Sequence, residues 1–243
     1  MSLRETFDRD AELYDRARPS YPDELMDELD RLLPDHASIL EVGCGTGQAT
    51  RALVARGHSL TCVELGASLA KIARRNVPQA EIVNSDFETW AAATCFDAVV
   101  FFTSFHWLDP ATRYAKVAAH LRRGGLLAVV ATQHVLPADG DRFFVEVQAD
   151  YGEGDPPPPP EDVHDLREEI DASGLFETVT TSRFLWEVDY TASTYLDVLR
   201  TYSGHIALPD AKREELFSRI RRRIGARTVR KTYLSQLNVA RRL

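Results

Sequence analysis

Cysteine is scarce in this chain: Cys44, Cys62 and Cys95 are the only three in 243 residues. They are odd in number and form no Cys-x-x-Cys pair, so neither a disulfide framework nor a zinc site is indicated, and a reducing compartment fits. Long apolar runs are missing as well. The strongest, Ala98–Phe102 and Leu126–Ala131, are strand-sized and far below the ~18 residues of a membrane span. The opening MSLRETFDRDAELYD is charged where a secretory signal would be apolar. A cytoplasmic protein without a membrane partner is expected. Positive charge is in deficit too, 29 Lys and Arg against 37 Asp and Glu, a net −8. That balance argues against a dedicated duplex-nucleic-acid binder. The deficit is uneven, because residues 211–243 hold 11 basic and 2 acidic residues, leaving 18 against 35 in residues 1–210.

What is present is ordinary globular usage, 44% hydrophobic and 27% charged, on a chain long enough to bury one substantial α/β core. Short apolar runs at Ile39–Val42, Leu60–Val63, Glu81–Val83, Phe96–Phe102 and Leu126–Ala131 read as buried strands. Helix-length segments separate them: Gln48–Arg56 before Gly57, Ser68–Asn76 before Pro78, and Pro110–Arg123 before Gly124-Gly125. Glycine accepts a left-handed cap and proline cannot continue a helix, so each segment carries its own stop. Strand–helix–strand repetition implies a doubly wound, mostly parallel sheet with helices on both faces. Further along, helices are expected over Asp141–Tyr151, Glu161–Ala172 and Asp210–Gly225. Strands are expected over Phe176–Tyr190 and Thr228–Ala240. The five prolines Pro156–Pro160 read as a stiff extended surface loop or a docking ligand for an SH3-type domain.

The most informative stretch is Ile39-Leu-Glu41-Val-Gly43-Cys44-Gly45-Thr-Gly47-Gln48. A strand that ends in an acid, then Gly-x-Gly-x-Gly, then a helix describes a tight turn beneath a ligand, where a Cβ would block close approach. It is not the dinucleotide fingerprint, which would need glycine at Gln48 or Thr50. The second strand ends in Glu64, about 20 residues on, placed to accept hydrogen bonds from both hydroxyls of a ribose. The third ends in Asp86-Phe87, a carboxylate for an adenine amino group and an aromatic to pack on the ring.

In this order and spacing, Glu41–Gly47, Glu64, Asp86-Phe87 and Leu121-Arg-Arg-Gly-Gly125 resemble the signature series of class I S-adenosylmethionine-dependent methyltransferases over about residues 25–135. The resemblance implies a Rossmann-like seven-stranded sheet whose last strand, supplied by Thr228–Ala240, inserts antiparallel. It implies one domain, with residues 1–24 as a lid segment, 25–135 as the cofactor-binding core, and 136–243 as substrate-side helices and last strands. Carried over by position, Gly43 and Gly45 pass beneath the methionine part of the cofactor and Glu41 helps to hold its amino group. Glu64 holds the ribose, and Asp86 with the Phe87 backbone the adenine. Cys44, Gln48, Leu65 and Thr103 complete the cofactor set. Tyr14-Asp-Arg-Ala-Arg18-Pro-Ser-Tyr21-Pro22 and Ser104-Phe-His106-Trp107-Leu-Asp109 look like a small-molecule branch that includes trans-aconitate methyltransferases. That likeness implies an N-terminal segment folded over the cofactor, with Tyr14 and Arg18 near its carboxylate end. A planar guanidinium suits that group; read from residues alone, Arg18 is a surface charge before a turn proline.

Methyl transfer from a sulfonium needs alignment and exclusion of water, and a base only where the acceptor arrives protonated. His106 is the candidate base, or else a hydrogen-bonded structural histidine; Trp107 walls the acceptor pocket or fills core. The acceptor pocket is expected from Tyr21, the His106 loop and the helices between Tyr190 and Gly225, with Tyr202 and His205. No Asn/Asp-Pro-Pro-Tyr/Phe follows the fourth strand, where Phe102-Thr-Ser-Phe-His stands, which disfavours methylation of base or glutamine amino groups. His106 and Asp109 alone do not make a metal site. The expected activity is methylation of a small carboxylate or hydroxyl acceptor, with S-adenosylhomocysteine as product. The rivals are a nucleic-acid methyltransferase footed on Arg221-Arg222-Arg223, a non-catalytic cofactor-binding regulator, and a nicotinamide oxidoreductase.

Overall fold

A computed structural model describes residues 10–152 and 154–243 of the chain; the first nine residues of the expected lid, and Glu153, lie outside them. Its elements are, in order, α1 (Ala11–Ala17), α2 (Asp23–Leu32), β1 (Ser38–Val42), α3 (Gln48–Ala55), β2 (Ser59–Glu64), α4 (Ala67–Asn76), β3 (Glu81–Asn84), β4 (Phe96–Phe102), α5 (Arg113–His120) and β5 (Leu121–Val135). They continue with α6 (Phe143–Glu146), α7 (Gln148–Tyr151), α8 (Arg167–Ala172), β6 (Phe176–Tyr190), α9 (Ala192–Arg200), α10 (Ser203–Ile206), α11 (Asp210–Ile224) and β7 (Val229–Arg242). Among the described residues no helix is long and apolar enough to cross a membrane.

The strands form one seven-stranded sheet ordered β3-β2-β1-β4-β5-β7-β6. β1 pairs in parallel with β2 and β4, β2 with β3, and β4 with β5. The last strand runs the other way. Thr132 faces Ser235 (Oγ1···Oγ 2.8 Å) and Val129 faces Asn238, so three residues forward on β5 match three back on β7. Thr181 with Asn238 and Glu187 with Thr232 repeat the reversal against β6. This is the mostly parallel, Rossmann-like α/β architecture expected from the strand–helix alternation.

The chain divides into two compact units. The first comprises residues 20–132, 165–184 and 235–243, and the second 133–164, 185–234 and the described residues before Ser20. In the first, side-chain alternation along the central strands loads both sheet faces. Ile39, Ala98, Val100, Leu126 and Ala128 pack with Leu25 and Leu29 of α2 and Leu53 of α3. Leu40, Val99, Phe101, Leu127 and Val129 pack with Tyr114 and Val117 of α5 and Ile170 of α8. In the second, α9 buries Tyr195, Leu196, Val198 and Leu199 with Leu216, Phe217, Ile220 and Ile224 of α11. The four-residue spacing of the α11 apolar positions gives it that stripe.

Four segments differ from the sequence reading. The helix expected to Arg123 ends at His120, because Leu121 already pairs with Phe96 on β4. Gly124, at φ +74°, then bulges β5 before Leu126 meets Ala98; the Gly-Gly pair is a strand irregularity, not a helix cap. Asp141–Tyr151 is two short helices, α6 and α7. Glu161–Ala172 is helical only in α8 and a single 3-10 turn, since Val163 turns extended and buries with Val135 and Leu234. Pro156–Pro159 lead without regular structure into that turn, which Pro160 opens, with Pro159 extended, and the Pro158 carbonyl accepts from Leu136 N–H (2.9 Å).

Part of the basic C-terminal excess is paired within the chain, largely at its surface. Arg223 pairs with Asp150 (2.5 Å), Arg219 with Glu215 (2.9 Å), and Arg230 with Asp189 (2.9 Å). Arg241 and Arg242 donate to the Gly124 and Leu121 carbonyls.

Phe101 is fully buried, edge-on to Phe105 (4.9 Å) and Phe87 (6.2 Å). Phe101→Ala is expected to cost about 3–5 kcal/mol, measured by urea unfolding; a loss below about 1 kcal/mol would mean this face is not tightly packed.

Candidate active site

Three strand ends of the first unit meet at the glycine turn. Gly43, Gly45 and Gly47 all take left-handed backbone angles, φ +74°, +58° and +91°, which other residues adopt only at a cost. A Cβ on Gly43 would lie 2.8 Å from Ser104 Cβ, an impossible contact. Ser104, just past β4, uses that space to donate its hydroxyl to the Val42 carbonyl (2.5 Å). Glu64 ties the turn to the end of β2: Gly45 N–H donates to its Oε2 (2.9 Å) and Gly66 N–H to its Oε1 (2.8 Å). Asn84 at the end of β3 donates to the carbonyls of Glu64 (2.8 Å) and Leu65 (3.0 Å).

The turn also holds polar atoms without protein partners. Thr46 Oγ1 and Gln48 Nε2 are buried and make no hydrogen bond among the described residues. Such orphans are costly unless something satisfies them. Just past β4, Thr103 adopts φ +57°, a strained angle for a β-branched residue that costs about 1–3 kcal/mol and concentrates at functional sites. It is pinned from both sides, by its N–H on the Val130 carbonyl (2.7 Å) and its hydroxyl near Tyr21 Oη (3.3 Å). Tyr21 itself packs on Phe102 (4.8 Å).

Glu41 lies within the structure rather than on its surface. It is 1% exposed, accepts from the Thr50 hydroxyl (2.7 Å), and has the Cys62 thiol 3.8 Å away. Burial pushes its carboxyl from an ordinary 4.5 up to about 7, against the pull of the Thr50 and Cys62 hydrogen bonds. Cys44 is buried beside it, and its thiol is pushed up by the neighbouring Cys62 and by burial. Asp86 is half-buried and accepts from Glu88 N–H (3.0 Å). The Phe87 side chain is not at the site. It is 4% exposed and packs in the core with Phe101, Trp90 and His120, so only its backbone is left to meet a ligand.

His106 sits in a 3-10 turn after β4 with its ring against Trp107 (4.6 Å). It is exposed, and among the described residues its ring makes no hydrogen bond. Partial burial, then the Arg113 charge, holds its pKa below the usual 6.5. Trp107 is half-buried, its ring beside that of His106.

The remaining expected residues lie in the second unit. Arg18 is bound twice to Thr201, by Nε to Oγ1 (2.9 Å) and by an Nη to the carbonyl (2.9 Å). Its guanidinium also lies over the rings of Tyr14 (5.0 Å) and Tyr202 (4.6 Å); it is a built-in stack, not a loose surface charge. His205 meets Tyr151 Oη (3.0 Å) through Nε2 while its Nδ1 is buried without a partner. Burial and the Lys231 charge press His205 down to about 4. A cavity of about 220 Å³ opens among Asp10, Tyr14, Thr201, Ile206 and Arg213. Lys231, which no sequence pattern singled out, is 2% exposed and donates to Tyr202 Oη (2.8 Å).

Residues 39–125 match the family described as a methyltransferase domain. An uncharacterized methyltransferase of Mycobacterium tuberculosis is 30% identical over 210 residues, 86% of this chain and 81% of that one. A trans-aconitate 2-methyltransferase of Azoarcus is 35% identical over 100 residues, 40% of each chain. A malonyl-[acyl-carrier protein] O-methyltransferase of Halalkalibacterium halodurans is 31% identical over 115 residues, 43% of this chain and 42% of that one. Among solved structures, a protein given as a type II methyltransferase from Anaeromyxobacter dehalogenans aligns with TM-score 0.62 at 23% identity, over 92% of this chain and 97% of that one, which establishes the shared fold.

Glu41 generates a pH prediction. The native state holds a proton that the unfolded chain releases between 4.5 and about 7. The stability this group contributes is therefore complete below pH 4.5 and lost as pH rises through 7, by up to about 3 kcal/mol. Glu41→Gln keeps an acceptor for Thr50 and removes the titration. Urea unfolding at pH 5 and pH 8 is expected to show the variant gaining on the parent protein at the higher pH; an identical difference at both would mean Glu41 is ionised when folded.

Proposed function

The chain belongs to the methyltransferase family, and from that premise we propose that it moves the methyl group of S-adenosylmethionine to a small-molecule acceptor bearing a carboxylate or a hydroxyl. The observation that carries this reading is the glycine turn. Three left-handed glycines bare the backbone of the turn, packed so closely that a Cβ at Gly43 would collide with Ser104, and among the described residues two buried polar atoms in the turn, Thr46 Oγ1 and Gln48 Nε2, lack partners. An extended polar ligand with a methionine end, a ribose and an adenine fits that donor set. Bound there, the cofactor supplies the electrophilic methyl, and the protein supplies alignment and a dry setting.

The residues divide the work. Gly43 and Gly45 offer backbone to the methionine end, with Cys44, Gln48 and Thr103 beside it. Glu64, held in place by the Gly45 and Gly66 amides, takes the ribose hydroxyls, next to Leu65. Asp86 and the Phe87 backbone take the adenine. Glu41 acts from beneath by anchoring α3 through Thr50. A carboxylate acceptor needs no base. For a hydroxyl acceptor, His106 is the proton acceptor, since its lowered pKa leaves it neutral near pH 7. The relatives named for trans-aconitate and for a malonyl group support an acidic acceptor. The net charge of −8 and the pairing of Arg223 with Asp150 count against a nucleic-acid footprint. Together with the scarcity of cysteine, this favours a cytoplasmic small-molecule enzyme.

Calorimetry is expected to show binding of S-adenosylmethionine and not of NAD, and Glu64→Ala to weaken the former by about tenfold or more. Binding of NAD in its place would overturn the reading, and unchanged affinity in the variant would refute the ribose assignment. A screen of small carboxylic acids, phenols and amines for S-adenosylhomocysteine release then identifies the acceptor; activity confined to amines would exclude the acidic class.

A further inference from the structure

The turn after β3 is gripped by one face of α5. Within the turn three amides are spent on Asp86: Glu88 N–H donates to its Oδ1 (3.0 Å), and Thr89 and Trp90 N–H to its carbonyl (3.1 and 3.0 Å). Lys116 ties the carbonyl side, its Nζ donating to the Glu88 and Trp90 carbonyls at 2.9 Å each. The same Nζ lies 5.3 Å from the centre of the Phe87 ring. His120 follows at i+4, on the same face of the helix. Its ring stacks on Trp90 (5.3 Å, 9° between planes) and lies 5.2 Å from Phe87, while its Nδ1 donates to the Lys116 carbonyl (2.8 Å). Beyond Trp90 the chain has no regular structure until β4 begins at Phe96, and most of that stretch is exposed. The far end of the turn is therefore fixed from α5 rather than by the chain that follows it. Fixing a lysine costs more side-chain entropy than fixing almost any other residue, and among the described residues Lys116 hydrogen-bonds to this backbone alone. All of these residues belong to the first unit.

We infer that Lys116 is a positioning residue for the adenine of the cofactor: by clamping the Glu88 and Trp90 carbonyls it holds the Asp86 carboxylate and the Phe87 N–H in one fixed pair. Among the described residues the Phe87 N–H makes no hydrogen bond, whereas the three amides after it are spent on Asp86. A carboxylate beside a free N–H matches the edge of adenine, whose amino group donates and whose adjacent ring nitrogen accepts. Hypoxanthine presents the reverse order, an oxo group beside a ring N–H. A rigid pair rejects it, because both protein groups are then left opposite atoms of the wrong kind. A loose turn would yield and discriminate less. Charge-assisted bonds from one ammonium to two carbonyls supply that stiffness. Lys116 touches no ligand in this account. Its role toward adenine rests on the methyl-transfer reading; the clamp itself does not.

The test is calorimetry on the full chain with S-adenosylhomocysteine and with S-inosylhomocysteine, which carries hypoxanthine in place of adenine. The wild-type protein is expected to favour the adenosyl ligand by at least about tenfold. Lys116→Met, of similar length and apolar, is expected to lose about tenfold in affinity for S-adenosylhomocysteine and little for S-inosylhomocysteine, so that the preference falls below about threefold. A residue that merely supports the fold would weaken both ligands by the same factor. An unchanged preference in Lys116→Met, whatever the absolute affinities, would overturn the inference and leave the methyl-transfer reading standing. Failure of the wild-type protein to bind S-adenosylhomocysteine would overturn both. Hydrogen exchange on the ligand-free wild-type protein supplies a measurement independent of that variant's folding. The Glu88, Thr89 and Trp90 amides are expected to exchange at least about tenfold more slowly than in an unstructured peptide, which supports a turn clamped in advance. Unprotected exchange until S-adenosylhomocysteine is added would mean that the ligand, not Lys116, orders the turn, and would overturn the inference.

Discussion

The hold of one carboxylate on two backbone amides organises the first unit. Glu64 accepts from Gly45 and Gly66, so the turn after β1 and the turn after β2 are fixed to each other through a buried charged group. Charge-assisted bonds of this kind are among the stronger ones available to a protein. The rest follows from that spacing. With Gly45 fixed, Gly43 must turn left-handed above Ser104, and the absence of its Cβ lets the Ser104 hydroxyl reach Val42. The ends of β1, β2 and β4 are thereby registered before any ligand arrives. Preorganisation of this sort lets a protein that contributes little covalent chemistry still accelerate a displacement.

The second unit works under a different constraint, the placement of positive charge in an aromatic interior. Tyrosine rings and hydroxyls surround Lys231, and Arg18 is clasped between Tyr14 and Tyr202. Burial presses the Lys231 ammonium down, opposed by Tyr202. Burial would raise the Tyr202 phenol, but Lys231 and Arg18 outweigh it and hold it low. The arrangement is polar, and Lys231 within it is enclosed. Hydrophobic packing of α9 on α11 provides the rigid frame that such a group of side chains needs.

Much of the fold was legible because buried parallel strands write their pattern locally. Ile39–Val42 and Phe96–Phe102 alternate between two covered faces and so read as continuous apolar runs. The Gly-rich turn and Glu64 were legible for the same reason, since each sits at a strand end where chemistry and spacing coincide. Segments governed by distant partners were not. The 121–125 stretch reads as a helix stop, yet Leu121 is claimed by Phe96 on a neighbouring strand. Phe87 reads as a ligand aromatic, yet the space beside Phe101 takes it into the core.

From the sequence alone came the strand–helix alternation, the antiparallel last strand implied by resemblance, and the glycine turn with its acidic partners, because backbone sterics and side-chain period act between near neighbours. Tertiary structure alone decided that Glu41 is buried and proton-holding, that Arg18 belongs to a tyrosine stack on Thr201, and that Lys231 is an enclosed cation. Desolvation and pairing depend on what surrounds a charge in space. No pattern of neighbours along the chain records that Lys231, on the last strand, lies against Tyr202 at the start of α10.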